Sequence, residues 1–288
     1  MKKFIICLLI CLNVNGLFSQ DFFTGGDRSL DFNTALGIYE SSINSFSGIF
    51  TNNALRILLG EANRLNNKLD MFSLAGLDAQ HLRLLRNMIY ARHGLRFSSA
   101  DLNSYFGRFD WYNPRLTNVD HMMTETDFEN VRLVQTFESR NENQPAINWN
   151  DCIGVWQDYP AMAAGWSNRF VIYPDNRLEF LYSQMHSGLR LVSGLNGKYE
   201  ITGNVLIYSV NQVYYIMNDG AFAPELNFGY GYLFRNTQMN TISLDKPIIL
   251  KFPVTAIHIE QWTSLNRETF VLGGQDFYRI TDDVDYRF

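Results

Sequence analysis

Glu138-Ser139-Arg140-Asn141-Glu142-Asn143-Gln144-Pro145-Ala146-Ile147-Asn148-Trp149-Asn150 is where the hydrophobic rhythm of this chain changes. The stretch is polar, contains Pro145 and keeps its few apolar residues near its end, which is the composition of a linker. Upstream of it, apolar residues recur every three to four positions, the period of an amphipathic helix. Downstream they alternate, the period of a half-buried strand. The break predicts an α+β chain. A helical N-terminal half leads, across a linker at 140–150, into an all-β antiparallel barrel or sandwich at 151–288.

Immediately upstream, Thr124 and Asp127 have the spacing of a capping box, and Phe128, Val131, Val134 and Phe137 follow as the buried stripe of a last helix. Asn113-Pro114 marks a turn. Ser98 and Asp101 repeat the capping spacing and open a short helix through Phe106. The strongest helix spans 78–94. Asp78 suits its N-cap, and Leu82, Leu85, Met88, Ile89 and Arg92 form one stripe that Leu84 and Ala91 widen. Gly94 stands where a left-handed cap residue is needed. From Thr51 to Phe72 the positions of Leu55, Leu58, Leu59, Ala62, Leu65 and Leu69 predict one helix, with Gly60 weakening it but not breaking it. A further weak helical pattern runs from Asp31 to Phe46.

Downstream, 169–173 and 177–182 read as a hairpin around Pro174-Asp175-Asn176. Further strands are expected at 197–201, 205–208, 213–217, 228–234, 248–252, 269–272 and 277–280. Eight to ten short strands at this spacing imply a barrel or sandwich.

The run Leu82-Arg83-Leu84-Leu85-Arg86-Asn87-Met88-Ile89-Tyr90-Ala91-Arg92-His93-Gly94 resembles the YARHG family, named for the five residues that stand here as Tyr90 to Gly94. The resemblance continues through Phe97, Tyr105-Phe106, Trp111-Tyr112 with Pro114, and Glu129-Asn130 with Leu133, so that it covers about residues 74–139. Met88 departs from it, standing where many relatives are expected to carry an acid. The resemblance implies an extracytoplasmic bacterial domain, often a module beside others, with no established reaction. Residues 21–73 are then a helical segment ahead of it.

Read from the residues alone, Arg86, Tyr90 and His93 share a helix face at steps of four and three. Every basic side chain capable of constant charge between 74 and 139 is an arginine: Arg83, Arg86, Arg92, Arg96, Arg108, Arg115 and Arg132. Arginine offers a planar fork of donors that lysine lacks. Two roles follow. The guanidinium groups tie short helices together by capping carbonyls and stacking on Tyr105, Phe106, Trp111 and Tyr112. Alternatively, Arg83, Arg86, Tyr90, Arg92, His93, Trp111 and Tyr112 form a surface for an anionic or sugar ligand such as a cell-envelope glycan, or for another envelope protein.

Gly154-Val155-Trp156 at the head of the β region is similar to the G-x-W of lipocalin-like barrels. The resemblance implies a structural tryptophan plugging one barrel end. A barrel of about eight strands holds one small ligand, which makes a small apolar molecule a second candidate partner. Tyr173, Tyr182, Tyr199, Tyr208, Tyr214, Tyr215 and Trp262 are candidates to line its cavity or to fill a closed core.

Residues 1–20 read as a secretory signal. Lys2 and Lys3 precede an apolar run from Phe4 to Leu12, and a cleavage site is expected near Ser19 or Gln20. Acylation at Cys11 is the rival, disfavoured by bulky Ile10. About ten apolar residues are too few to span a bilayer, and no later stretch is long enough, so no transmembrane segment is expected. The mature protein is placed in the periplasm, at the cell surface or outside the cell. The whole chain carries 24 basic and 29 acidic residues, net −5. Without Lys2 and Lys3 the balance becomes −7, which argues against nucleic acid as a partner. Two of the three cysteines leave with the signal, so Cys152 has no partner for a disulfide and is expected to be a buried, inert thiol.

No motif announces catalysis. His81, His93, His121, His186 and His258 show no H-x-x-x-H or H-E-x-x-H spacing, and no nucleophile elbow or P-loop is present. Asp282, Asp283 and Asp285 lack a calcium-loop pattern. The sequence therefore predicts a non-catalytic binding or interaction protein with no metal and no cofactor. A lipid-like carrier using the β region is the second reading, and a hydrolase with a site between the domains the third.

Overall fold

A computed structural model describes residues 48–143, 145–146, 148–160, 167–183, 192–218, 237–254, 258–262 and 265–286. The expected signal at 1–20, the helical pattern at 31–46 and the strand at 228–234 lie outside the described residues. The chain divides into two compact units, Met1–Ser139 and Arg140–Phe288. The first is helical and the second is an antiparallel sheet. Among the described residues no helix is long and apolar enough to cross a membrane.

The first unit contains α1 (Gly48–Leu58), α2 (Met71–Ala75), α3 (Ala79–Ala91), α4 (Ala100–Phe106) and α5 (Glu125–Glu138), with a 3-10 turn at Ala62–Asn66. The single helix expected at 51–72 does not form. Gly60 has φ +111°, and a Cβ there would meet the Phe109 ring at 2.8 Å. The backbone turns at Gly60, so that Ala62 and Leu65 enter the core on a separate turn. Asp70 restarts the helical course by accepting from Phe72 N at 3.0 Å and Ser73 N at 3.1 Å, which satisfies backbone donors that a helix start leaves open.

The helix α3 begins as expected, with Asp78 accepting from His81 N at 2.8 Å, and the backbone reverses at Gly94, φ +84°. The apolar members of its predicted stripe are buried, Met88 included, while Arg92 is the C-cap at intermediate exposure, and the helix packs on α5. The capping box of α5 is present at Thr124 and Asp127. Phe128, expected in its buried stripe, is 39% exposed. The core-facing positions of α5 are Asp127, Asn130, Val131, Val134 and Phe137. The start of α4 also differs: its N-cap is Ser99, not Ser98.

Among the described residues the second unit forms one nine-stranded antiparallel sheet. Its strands are β1 (Gly154–Gln157), β2 (Arg169–Ile172), β3 (Arg177–Leu181), β4 (Val192–Thr202), β5 (Val205–Asn218), β6 (Thr237–Pro253), β7 (His258–Trp262), β8 (Leu265–Leu272) and β9 (Gln275–Thr281). The order is β6-β5-β4-β3-β2-β1-β9-β8-β7. The β2–β3 hairpin turns at Asn176, φ +63°. The two strands expected at 205–208 and 213–217 are one strand, β5, whose pairing with β6 shifts between Val210 and Gln212. That irregularity interrupts the alternation and gives one strand the pattern of two.

The sheet is not closed into a barrel by edge pairing among the described strands. β6 pairs with β5 and β7 with β8, which leaves these two as the edges. The sheet curls enough for the end of β6 to reach β8. Val254 bridges Leu272, and Gly273 N donates to Pro253 O at 2.9 Å.

Trp156, Phe170, Phe180, Tyr208, Phe252, Phe270 and Phe277 are at most 1% exposed and supply much of this core. Phe170 meets Phe180 and Phe277, and Phe270 stacks on Phe277. Such rings each bury a large apolar surface, which a unit without disulfides requires.

Candidate functional site

The five-residue signature lies where α3 ends, and its charged members point into the helical unit. Arg92 Nη2 donates to Asp127 Oδ1 at 2.7 Å, and its Nη1 reaches Asn66 Oδ1 at 2.9 Å and Ala62 O at 3.3 Å. His93 Nε2 lies 3.1 Å from Asp127 Oδ2. The same Nε2 lies 3.3 Å from Arg92 Nε. Thr124 donates to the same Oδ2 from its backbone nitrogen and from Oγ1, at 2.8 and 2.9 Å.

The Asp127 side chain is fully buried. Burial alone pushes its carboxyl up. The two Thr124 bonds, the Arg92 charge and the His93 bond outweigh it, and hold the group below the ordinary carboxylate range. A buried carboxylate survives only when it is paired and hydrogen-bonded in this way.

The other predicted residues also find partners within the helical unit, the first of them at its surface. Arg83 Nη1 pairs with Asp101 Oδ2 at 2.6 Å on α4. Arg86 Nε pairs with Glu138 Oε2 at 2.8 Å at the far end of α5. The pairs Arg86–Glu138 and Arg92–Asp127 therefore run in opposite senses along α3 and α5, fixing an antiparallel register between two helices. Tyr90 is half-buried, and burial raises its hydroxyl pKa. Trp111 Nε1 donates to Gly60 O at 2.9 Å and its ring stacks on Phe109. Tyr112 Oη donates to Leu95 O at 2.9 Å, and Tyr105 Oη to Leu58 O. The aromatic hydroxyls and the indole thus cap the carbonyls that the irregular turns leave open.

Sequence reasoning did not find Asp127 and Asn130 as core residues. Asn130 Oδ1 accepts from Leu69 N at 2.8 Å, while its Nδ2 donates to Asn67 O at 3.0 Å. The usable signal was spacing: Asp127, Asn130, Val131, Val134 and Phe137 form one helical stripe, with two polar members hidden in it.

Four arginines of the unit remain on the outside. Arg96, Arg108, Arg115 and Arg132 are exposed, and no ion pair reaches them among the described residues. Arg108 lies over the Tyr105 ring, 5.0 Å from its centroid.

In the β unit, Gly154 has φ +137°, and a Cβ there would meet Thr281 O at 2.6 Å. It admits the close approach of β9. Trp156 Nε1 donates to Cys152 O at 2.8 Å, and the Arg279 guanidinium covers its ring at 4.5 Å. Arg279 Nη1 also donates to Ile153 O at 2.9 Å. The tryptophan is a fully buried core residue packed on Phe270. Tyr208, a cavity candidate, is fully buried with its hydroxyl on Leu178 O at 3.0 Å, and Tyr173 packs with Val155 and Val171. The side chains of Tyr215 and Trp262 lie outside the described residues. Cys152 is buried and its thiol is pushed up to about 12 by desolvation, the condition of an unreactive sulfur. Asp282 pairs with Arg279, and Asp283 Oδ1 accepts from Asp285 N at 3.0 Å.

A family model described as the YARHG domain matches residues 56–139, under a third of the chain. No curated protein and no solved structure matches the chain. The match begins ahead of the expected residue 74, and the contacts explain why: Leu58, Gly60, Ala62 and Asn66 supply acceptors for Tyr105, Trp111 and Arg92. The chain carries a YARHG domain at residues 56–139, in which the signature residues Arg92 and His93 tie the end of α3 to Asp127 of α5, and Arg92 also to the 62–66 turn.

Proposed function

We propose that this is an exported, non-catalytic binding or interaction protein of the bacterial cell envelope, whose YARHG domain contacts an envelope component. The observation that supports this is the division of the arginines. Arg83, Arg86 and Arg92 are neutralised within the domain by Asp101, Glu138 and Asp127. Arg96, Arg108, Arg115 and Arg132 are exposed and without ion pairs on a chain of net charge −5. Guanidinium groups left free on an acidic protein offer carboxylate or phosphate groups a local site. The half-exposed Trp111 and Tyr112 beside them offer flat apolar surface to a sugar ring. In this reading the contact falls to the outer arginines, and the expected trio Arg83, Arg86 and Arg92 holds the scaffold.

Retention of the purified chain lacking residues 1–20 by peptidoglycan or isolated envelope glycan tests this. The chain is retained, and a variant with Arg96, Arg108, Arg115 and Arg132 all changed to glutamine is washed out while keeping its helical circular dichroism. No retention of the unaltered chain, or equal retention of the variant, contradicts the proposal.

A further inference from the structure

The signature glycine does more than end a helix. With φ +84° it turns the chain after α3 so that residues 94–96 run beside residues 115–116. Gly94 O accepts from both Arg115 N and Leu116 N at 3.0 Å, and Arg96 N donates to Leu116 O at 2.7 Å. The result is a parallel bridge between Leu95 and Leu116. A side chain at Gly94 would spoil this approach, because a Cβ would stand 2.9 Å from Asn113 O.

Leu95 and Leu116, side by side in the bridge, are half-buried, and Arg96 and Arg115, each one residue away, are exposed. The bonds from Arg96 N to Leu116 O and from Arg115 N to Gly94 O keep the two arginines on the two sides of this one bridge, where paired backbones lie about 4.8 Å apart. Two guanidinium groups on stems this close converge readily on one small group.

Like charges on neighbouring stems repel. Among the described residues no carboxylate pairs with either arginine. Asp101, on α4 between them in sequence, is engaged by Arg83, and Asp110 is exposed without an ion pair. Tyr112 borders the pair: the Arg96 charge acts on its hydroxyl, which burial otherwise raises, and that hydroxyl is bound to Leu95 O.

We infer that Arg96 and Arg115 form a clamp for one anionic group, a phosphate or a carboxylate, carried by the ligand of this domain. The inference deepens the binding proposal and rests on its claim that the outer arginines meet a ligand. It narrows four arginines to two and assigns Gly94 the role of building the site. Planar forks of donors on two sides of an oxyanion match the geometry in which arginine binds these groups best.

The test is a nuclear magnetic resonance titration of the chain lacking residues 1–20, observing arginine side-chain N–H signals. Two probes are used in parallel, inorganic phosphate and galacturonic acid. The expected result is saturable shifts at Arg96 and Arg115 with at least one probe; the probe that binds more tightly identifies the oxyanion. Arg96→Gln and Arg115→Gln each weaken that binding at least tenfold, while Lys198→Gln, which removes an exposed cation of β4, leaves it unchanged. Absence of saturation with both probes overturns the clamp. So does equal weakening by Lys198→Gln, which marks diffuse attraction, or full binding by either glutamine variant. Glycan retention that survives Arg96→Gln and Arg115→Gln sinks the clamp but not the binding proposal. Saturable probe binding without any glycan retention sinks the proposal of an envelope ligand but not the clamp.

Discussion

Changing Asp127 to alanine strands the signature. Its carboxylate is fully buried and receives Arg92, His93 and two donors from Thr124. Arg92 is 11% exposed, and without Asp127 its charge would keep the neutral partners Asn66, Ala62 and the His93 ring but no carboxylate. Removing one partner of a buried ion pair costs about 3–5 kcal/mol, because the remaining charge stays desolvated. Losing the reciprocal half of the α5 capping box adds about 1 kcal/mol.

The sum is comparable to the entire stability of a small domain, about 5–15 kcal/mol. At roughly 4–8 °C per kcal/mol for a domain of this size, the helical transition should fall by roughly 20 °C or more. Thermal and urea unfolding followed by circular dichroism at the helix minimum measure it. The double variant Arg92→Leu with Asp127→Leu separates the causes. If the stranded charge dominates, the double variant recovers at least half of the loss, since apolar replacement of a buried pair is often neutral or better. A single-variant cost below about 1 kcal/mol, or a double variant as unstable as the sum of the singles, refutes the reasoning.

Three further outcomes are expected. Asp127 is held below its ordinary pKa in the folded state. Its contribution is therefore full above the unfolded carboxylate value of about 3.9 and is lost as pH falls through the folded value. Unfolding midpoints measured from pH 7 down to pH 2.5 should drop below about pH 4, and the drop should shrink in Asp127→Asn. Asn130→Leu should destabilise the domain by about 1–3 kcal/mol in urea titrations despite adding apolar volume, because it leaves the buried Leu69 N–H without an acceptor; an unchanged midpoint contradicts this. Cys152 should resist a thiol reagent at pH 8 in the native protein and react fully in denaturant; rapid native labelling contradicts its burial.

The sequence showed the helical and β halves clearly because each hides an apolar stripe of regular period. It also showed the caps at Asp78 and Thr124, where short polar side chains precede apolar runs. It showed less where tertiary contacts override local preference. Gly60 reads as a weak spot in one helix, yet Phe109, about fifty residues away, occupies the space a Cβ would need. Phe128 reads as core, while the helix turns Asp127 and Asn130 inward because Arg92 and the 65–69 backbone need partners there. The arginines in and before the signature read first as scaffold and second as surface, and nothing in a linear pattern says which carboxylate lies opposite. The open edges at β6 and β7 were hidden because alternation reports which face is buried, not whether the first and last strands meet.

The most direct test of the account is the solvent-exchange behaviour of the arginine side-chain N–H groups, with and without soluble envelope glycan. The account predicts slow exchange at Arg86 and Arg92 in both conditions, and fast exchange at Arg96 and Arg115 that slows only when glycan is added. Fast exchange at Arg92 in the free protein, or glycan protection confined to Arg83, Arg86 and Arg92, would contradict the division of this domain into an inner clamp and an outer binding face.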